Sequence, residues 1–297
     1  MNYRERNLDN AEQLIGLSRA YWASQALFVA VRLNVFGYLD REGTARASDA
    51  ASVLGTDHEA TRRLLDVLTG LDLLHKQGKY YRNAPLAVAY LVPEREGYLG
   101  HAVHHAENLW SYWGELFQAV QTGKPIAFEV MEKGAYDYRH RLEDYLLAMR
   151  DQAGLLAPAM ARVFNLSDCR SLLDLGSGPG EYAKTFAQHY LHLKVTLYDH
   201  EATLEVVKEW AASWKGLEGR IEFRAGDFLQ EELSPPFYDA IFFSQAIHIY
   251  DSPTNSALVE KAFRALCSGG KLAIHDYLLE ENCAVPLAGS LFALNML

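Results

Sequence analysis

Residues 172–180 read Leu-Leu-Asp-Leu-Gly-Ser-Gly-Pro-Gly, and a helical pattern from Glu181 to Leu191 follows at once. Three glycines among small residues let a chain turn tightly out of a strand and lay its backbone against a ligand, because no Cβ fills that space. A second apolar segment, from Leu193, ends in Asp199, 23 residues past Gly176. Nucleotide-binding α/β folds place there a carboxylate that accepts both ribose hydroxyls. Asp174, two residues before the first glycine, argues against a diphosphate, which gains nothing from another negative charge. The spacing G-x-G-x-G, with Pro179 inside, also departs from G-x-G-x-x-G. S-adenosylmethionine carries an ammonium and a sulfonium instead of phosphates, so acidic residues near the turn favour it. Gly226-Asp227-Phe228 closes a third strand pattern, and a carboxylate beside an aromatic suits the amine and face of adenine. Asp174, Gly176, Ser177, Gly178, Asp199, Asp227 and Phe228 are therefore the expected cofactor contacts. A strand-to-helix turn with no ligand is the alternative.

Residues 98–165 read as helical and rich in large rings, among them Trp110, Tyr112, Trp113, Phe117, Phe128, Tyr136, Tyr138 and Tyr145, with breaks at Gly123 and Gly134. Such a segment could wall a pocket for an apolar, ring-bearing substrate, although core packing explains most of these rings equally well. His101, His104 and His105 fall at i, i+3 and i+4, on one helix face. No carboxylate or cysteine pattern supports metal binding there, so no metal is expected. His105, Trp110, Trp113 and Tyr145 are the expected substrate contacts.

Several elements must position these groups. From Arg170 onward strands and helices alternate: 170–175, 193–199, 221–226, 238–244 and 271–276 as strands, with helices between. That order implies a parallel sheet covered on both faces, with ligands at the carboxyl ends of its strands. Residues 8–40 read as helix. A short helix broken at Gly55 follows, then a second one capped by Thr56 or Asp57 and running to Leu74, then a hairpin turning at Gly78. Helix, turn, helix and hairpin make a winged helix. Three segments result: a winged-helix dimerisation domain at 1–100, a helical linker and substrate-pocket segment at 101–165, and a cofactor-binding Rossmann-like domain at 166–297.

The chain has 297 residues and a formal net charge of −10. Residues 1–100 hold 12 basic and 12 acidic residues, so the acidic excess lies wholly in the rest. A neutral winged helix whose second helix mixes Arg62 and Arg63 with Glu59 and Asp66 is a poor DNA reader, so dimerisation is the expected role. Three widely spaced cysteines fit reduced thiols in a cytoplasmic protein. No run of about 18 apolar residues is present, so no membrane partner is expected.

Taken together, these motifs resemble the class I S-adenosylmethionine-dependent O-methyltransferases that carry an N-terminal winged-helix dimerisation domain. The resemblance rests on Trp22-Ala-Ser-Gln-Ala-Leu, Arg62-Arg-Leu-Leu-Asp-Val-Leu, the 172–180 turn, Gly226-Asp-Phe, Phe243-Ser-Gln-Ala-Ile-His-Ile-Tyr-Asp and Gly269-Gly-Lys-Leu. It implies a homodimer, a small-molecule acceptor and a histidine general base at His248, with Tyr250 and Asp251 in register. Ile249 stands where relatives have Asp or another polar residue. An acidic partner of the base falls at Asp276, 28 residues on. The implied cofactor contacts are Gly176, Asp199, His200, Asp227, Phe228 and Ser244, the last standing where plant members have lysine.

Methyl transfer from a sulfonium needs alignment of the acceptor, worth ~7–11 kcal/mol, and an acceptor made anionic. A phenol titrates near ~10 and imidazole near ~6.5, so a positioned imidazole can take the proton as transfer proceeds. Methylation of carbon or nitrogen, or cofactor binding without methylation, are the alternatives. The family's sheet has seven strands, whereas residues 290–297 read as lying inside the helix before its closing antiparallel pair. The expectation is an uncovered fifth strand, and the uncapped apolar ending favours a fragment over a chain completed by a partner or one that has lost activity.

Overall fold

A computed structural model describes residues 9–126, 138–233 and 237–297. Phe128, Gly134 and Tyr136 of the ring-rich segment lie outside the described residues. The chain divides into two compact units, and the division falls between Gly114 and Glu115, inside the segment read as a linker.

The N-terminal unit begins with α1 (Ala11–Ser18), α2 (Tyr21–Arg32) and α3 (Val35–Glu42). One long helix was expected here. The chain instead turns at Arg19–Ala20 and again at Asn34, which adopts φ 54°, a conformation asparagine tolerates better than most residues. The stretch Ala11–Arg32 has the length and apolar content of a membrane span. Arg19 interrupts it, however, and Phe28 and Ala30 enter the unit's own core. A two-residue strand β1 (Ala45–Arg46) and helices α4 (Ala47–Leu54) and α5 (His58–Gly70) follow. Asp57 caps α5 by accepting from the Ala60 amide at 2.8 Å. The hairpin of β2 (Leu74–Gln77) and β3 (Tyr80–Asn83) pairs in the order β1-β3-β2, completing the wing. The core gathers Phe36, Leu39, Leu65, Leu68, Leu74 and Tyr81. Helices α6 (Pro85–Tyr90), α7 (Gly100–Asn108) and α8 (Trp110–Gly114) close the unit.

The C-terminal unit holds α9 (Leu116–Thr122), α10 (Tyr138–Val163), and then β4 (Ser171–Leu175), α11 (Glu181–His189), β5 (Lys194–Asp199), α12 (Glu201–Ala211) and β6 (Ile221–Ala225). After them come β7 (Tyr238–Ser244), a 3-10 turn at Ile247–Ile249, α13 (Ser252–Ala265), β8 (Leu266–His275) and α14 (Leu287–Asn295). Strand β8 starts five residues before the expected Lys271, and its register shifts between Tyr238 and Ala240 of its neighbour.

All five strands pair in parallel, in the order β6-β5-β4-β7-β8. Alternation along β4 and β7 sorts side chains to two faces. Leu172, Ala240 and Phe242 meet α10, α11 and α12, while Leu173, Leu175, Ile241 and Phe243 meet α13. The chain winds outward from β4 through β5 to β6, then returns to lay β7 on the other side of β4. Crossovers diverge at that reversal, and a crevice opens at the carboxyl ends of β4 and β7.

Candidate active site

The turn after β4 occupies that crevice. Gly176, Gly178 and Gly180 adopt φ of 70°, 48° and 73°, a region that L side chains seldom enter. Gly180 also lacks room for a side chain, since a Cβ there would lie 2.6 Å from Leu197 and 2.9 Å from Trp214. At Gly178 a Cβ would meet no protein atom within 4 Å.

Strand alternation turns Asp174 toward the apolar α10–α12 face, where it is almost fully buried. Burial, aided by the charge of Asp199, pushes its carboxyl up to about 7. One of its oxygens, Oδ2, is buried with no hydrogen-bond partner, and so is Ser177 Oγ. Asp199 ends β5. Its Oδ2 accepts from the Gly178 amide at 2.8 Å, and its Oδ1 from the His200 amide at 2.7 Å. Burial pushes Asp199 up, and these two amides oppose it. The His200 side chain is exposed.

Asp227 and Phe228 follow β6. Asp227 Oδ1 accepts from the Leu229 amide at 2.8 Å, and Phe228 is buried with Ala246 in the α13-side core. Tyr145, on α10, packs with the cluster of Leu142, Leu146 and Val206. Burial and the Asp199 charge both push its phenol up. The structure therefore brings Tyr145 to the Asp199 side of this unit. His105, Trp110 and Trp113 belong to the N-terminal unit. There Trp110 packs on Tyr21 at 5.6 Å, and burial pushes the His105 imidazole down.

The loop after β7 carries His248 on its 3-10 turn. His248 Nδ1 lies 2.9 Å from Asp276 Oδ1, just past the end of β8. The other oxygen, Oδ2, accepts from the amides of Ile247 at 3.2 Å and His248 at 3.3 Å. Burial alone would raise the Asp276 carboxyl, but the His248 imidazole and the surrounding amides outweigh it and hold the group below its ordinary value. An ionised carboxylate only accepts, so the Nδ1 facing it carries the hydrogen, and in the neutral ring Nε2 is the nitrogen with the lone pair. That arrangement can take a proton at Nε2 and share the resulting charge with Asp276.

Four further side chains, Phe292, Tyr277, His275 and Tyr182, were not foreseen. Phe292 of α14 meets the His248 ring edge-on at 4.8 Å and stacks on Tyr277 at 4.0 Å. His275 Nδ1 lies 3.0 Å from Ser244 Oγ and 3.5 Å from the Tyr182 hydroxyl. The adjacency of His275 to Asp276 was the available signal for one of them. Phe292 carried none, because its pattern on α14 is that of any apolar helix.

The residues present fit a ligand with an ammonium, a ribose and an adenine. An orphaned buried carboxylate oxygen, a second carboxylate at the next strand end and an aromatic beyond it suit those three groups in turn. A diphosphate would face two carboxylates.

Known proteins match both parts of the chain. Residues 15–93 match the family model described as the O-methyltransferase dimerisation domain, and residues 98–297 match that of the O-methyltransferase domain. The N,N-dimethyltransferase OxyT of Streptomyces rimosus is 31% identical, over 91% of this chain and 79% of its own length. The 3-hydroxy-5-methyl-1-naphthoate 3-O-methyltransferase of Streptomyces sahachiroi is 28% identical, over 96% and 82%. Human N-acetylserotonin methyltransferase, solved in complex with S-adenosylmethionine, superposes with a TM-score of 0.85 at 25% identity, covering 100% of this chain and 87% of that one. With both of its parts matched by the corresponding models, the chain belongs to the O-methyltransferase family.

Proposed function

We propose that this protein binds S-adenosylmethionine and methylates a hydroxyl of an aromatic or polyketide-like small molecule, with His248 as general base. The observation that carries the reading is the His248–Asp276 pair, 2.9 Å apart at the carboxyl ends of the sheet. When bound, the cofactor supplies a methyl group on a sulfonium, already activated toward an oxygen nucleophile. Asp174 and Ser177 would hold its amino-acid end, Asp199 its ribose, and Asp227 and Phe228 its adenine, with Gly176, Gly178, His200 and Ser244 lining the same strand ends. His248 would accept the acceptor's proton at Nε2 while Asp276 fixes the ring through Nδ1. Phe292 packs against the imidazole, with ring centroids 4.8 Å apart. Tyr145, in the same unit as His248, remains a proposed acceptor contact, and the N-terminal domain is proposed to form a homodimer. Nucleic acid and membranes are not among the proposed partners.

The test is turnover of labelled cofactor against a panel of phenols and naphthols, in the parent and in His248→Ala. The variant should lose about 10²–10⁴-fold in kcat with S-adenosylhomocysteine affinity nearly unchanged. An unchanged rate would remove His248 from the mechanism. The 31% identity to an N,N-dimethyltransferase favours a second reading, methylation of an amine. A neutral amine attacks without first losing a proton, so amine acceptors should turn over with little loss in His248→Ala.

A further inference from the structure

Helix α13 touches both loops that the proposed reaction needs. Its N-terminus is fixed by Asp251, whose Oδ1 accepts from the Thr254 amide at 3.0 Å. In its first turn, Asn255 Nδ2 donates to the Ile247 carbonyl at 2.9 Å and to the Tyr250 carbonyl at 3.1 Å. One side chain thus holds both ends of the turn that carries His248. Lys261 lies six residues on, about 9 Å further along the axis at helical rise. Its ammonium donates to the carbonyls of Phe228 at 2.8 Å, Leu229 at 3.0 Å and Glu231 at 2.7 Å. An ammonium has three N–H groups, and here there is one carbonyl for each.

The held loop has no strand ladder of its own. Its other side is tied by the Glu231 carboxylate, which accepts from the Tyr198 hydroxyl at 3.1 Å and the Asp227 amide at 3.2 Å. The two loops also touch, through Phe228 and Tyr250, edge-to-face at 6.2 Å. Leu258, between the two gripping residues, and Ala262, just past the second, anchor α13 in the core shared with Phe228 and Ala246. A helix seated that firmly moves as one piece.

We propose that α13 is a clamp in which Asn255 and Lys261 are positioning residues, tying the Asp227–Phe228 loop to the turn of His248. The inference rests on the reading of this site as a cofactor-dependent methyl-transfer site. Lys261 sets the adenine-side loop and Asn255 sets the base. Because both act through one helix, filling the cofactor site stiffens the turn of His248 before the acceptor arrives.

The test is hydrogen exchange read by mass spectrometry on the full chain, with and without S-adenosylhomocysteine, alongside calorimetry and steady-state kinetics. Lys261→Met keeps the aliphatic stem and removes all three donors. Without ligand it should speed exchange at 227–233 while leaving β4 and β5 unchanged. It should also raise the Kd for S-adenosylhomocysteine about tenfold, a change typical of losing hydrogen bonds to a charged group. Lys261→Arg should restore most of both. In the parent, ligand should slow exchange at 247–251, and this transmitted protection should vanish in Lys261→Met. Asn255→Ala should keep the Kd within about twofold, lose the same protection and lower kcat about tenfold at unchanged KM for the cofactor. Lys261→Met with parental exchange at 227–233 and parental Kd would overturn the clamp. Should that variant fail to fold, Lys261→Gln is read by the same criteria. A parent that ignores S-adenosylhomocysteine would sink the cofactor reading instead, and exchange at 227–233 in the unliganded variant would still decide the clamp.

Discussion

Asp174 and Asp276 are carboxylates a few residues from the same crevice, and their surroundings drive them in opposite directions. Burial raises Asp174 to about 7, so the folded protein holds its proton where the unfolded chain has lost it. The associated stability is whole below the ordinary aspartate value and declines as pH rises toward about 7. Asp276 is held below its ordinary value, so its contribution is present at neutral pH and disappears on acidification through its folded pKa. In the unliganded state Asp174→Asn should therefore melt higher than the parent at pH 8, with a much smaller gain at pH 4. Asp276→Asn should melt lower at pH 7, and that deficit should shrink as the pH is taken below about 4. The same Asp174→Asn change should weaken S-adenosylhomocysteine by about 10²-fold, because the ligand's ammonium loses its buried counter-charge. A melting gain equal at both pH values would show that ionisation of Asp174 is not the cause.

At the scale of elements, the glycine turn separates two demands that look identical in sequence. Gly180 needs its left-handed φ and also the space that Leu197 and Trp214 fill. Gly178 needs only the φ, with open space where a Cβ would go. Gly180→Ala should cost about 2–4 kcal/mol, the sum of backbone strain and overpacking. Gly178→Ala should cost about 1 kcal/mol in stability yet weaken cofactor binding, because its methyl enters the space at the strand end. Thermal melts and calorimetry on the two variants separate these outcomes. Equal melting losses would mean that the space around Gly180 does not matter.

For the whole molecule, the N-terminal helices carry the prediction. Leu14 and Trp22 are each 57% exposed, and Ile15, Leu17 and Tyr21 are exposed nearby. So much apolar surface on α1 and α2 marks an interaction face, and the matched dimerisation domain covers most of it. Light scattering should give about twice 33.4 kDa at micromolar concentration. The pair Leu14→Glu and Trp22→Glu should bring the mass down to a single chain. A parent that scatters as one chain would refute the dimer.

Sequence by itself determined the groups with chemical potential and the local turns that hold them. The three glycines and the acidic residues at strand ends were legible in the residues themselves, while the 28-residue interval from His248 to Asp276 came only with the family resemblance. Strand and helix patterns placed β4 to β7 within a residue or two. Those signals act over a few positions, through φ preferences and through the periods of strand and helix. Tertiary structure decided what lies beside what. It ended α2 at Arg32, just before a left-handed Asn34, and began β8 at Leu266. It also set Ser244 against His275, Phe292 against His248, and Lys261 against three carbonyls thirty residues away. Contacts of that separation follow from the order and register of a parallel sheet, which depend on how every helix packs onto it at once. No local pattern of residues encodes that order.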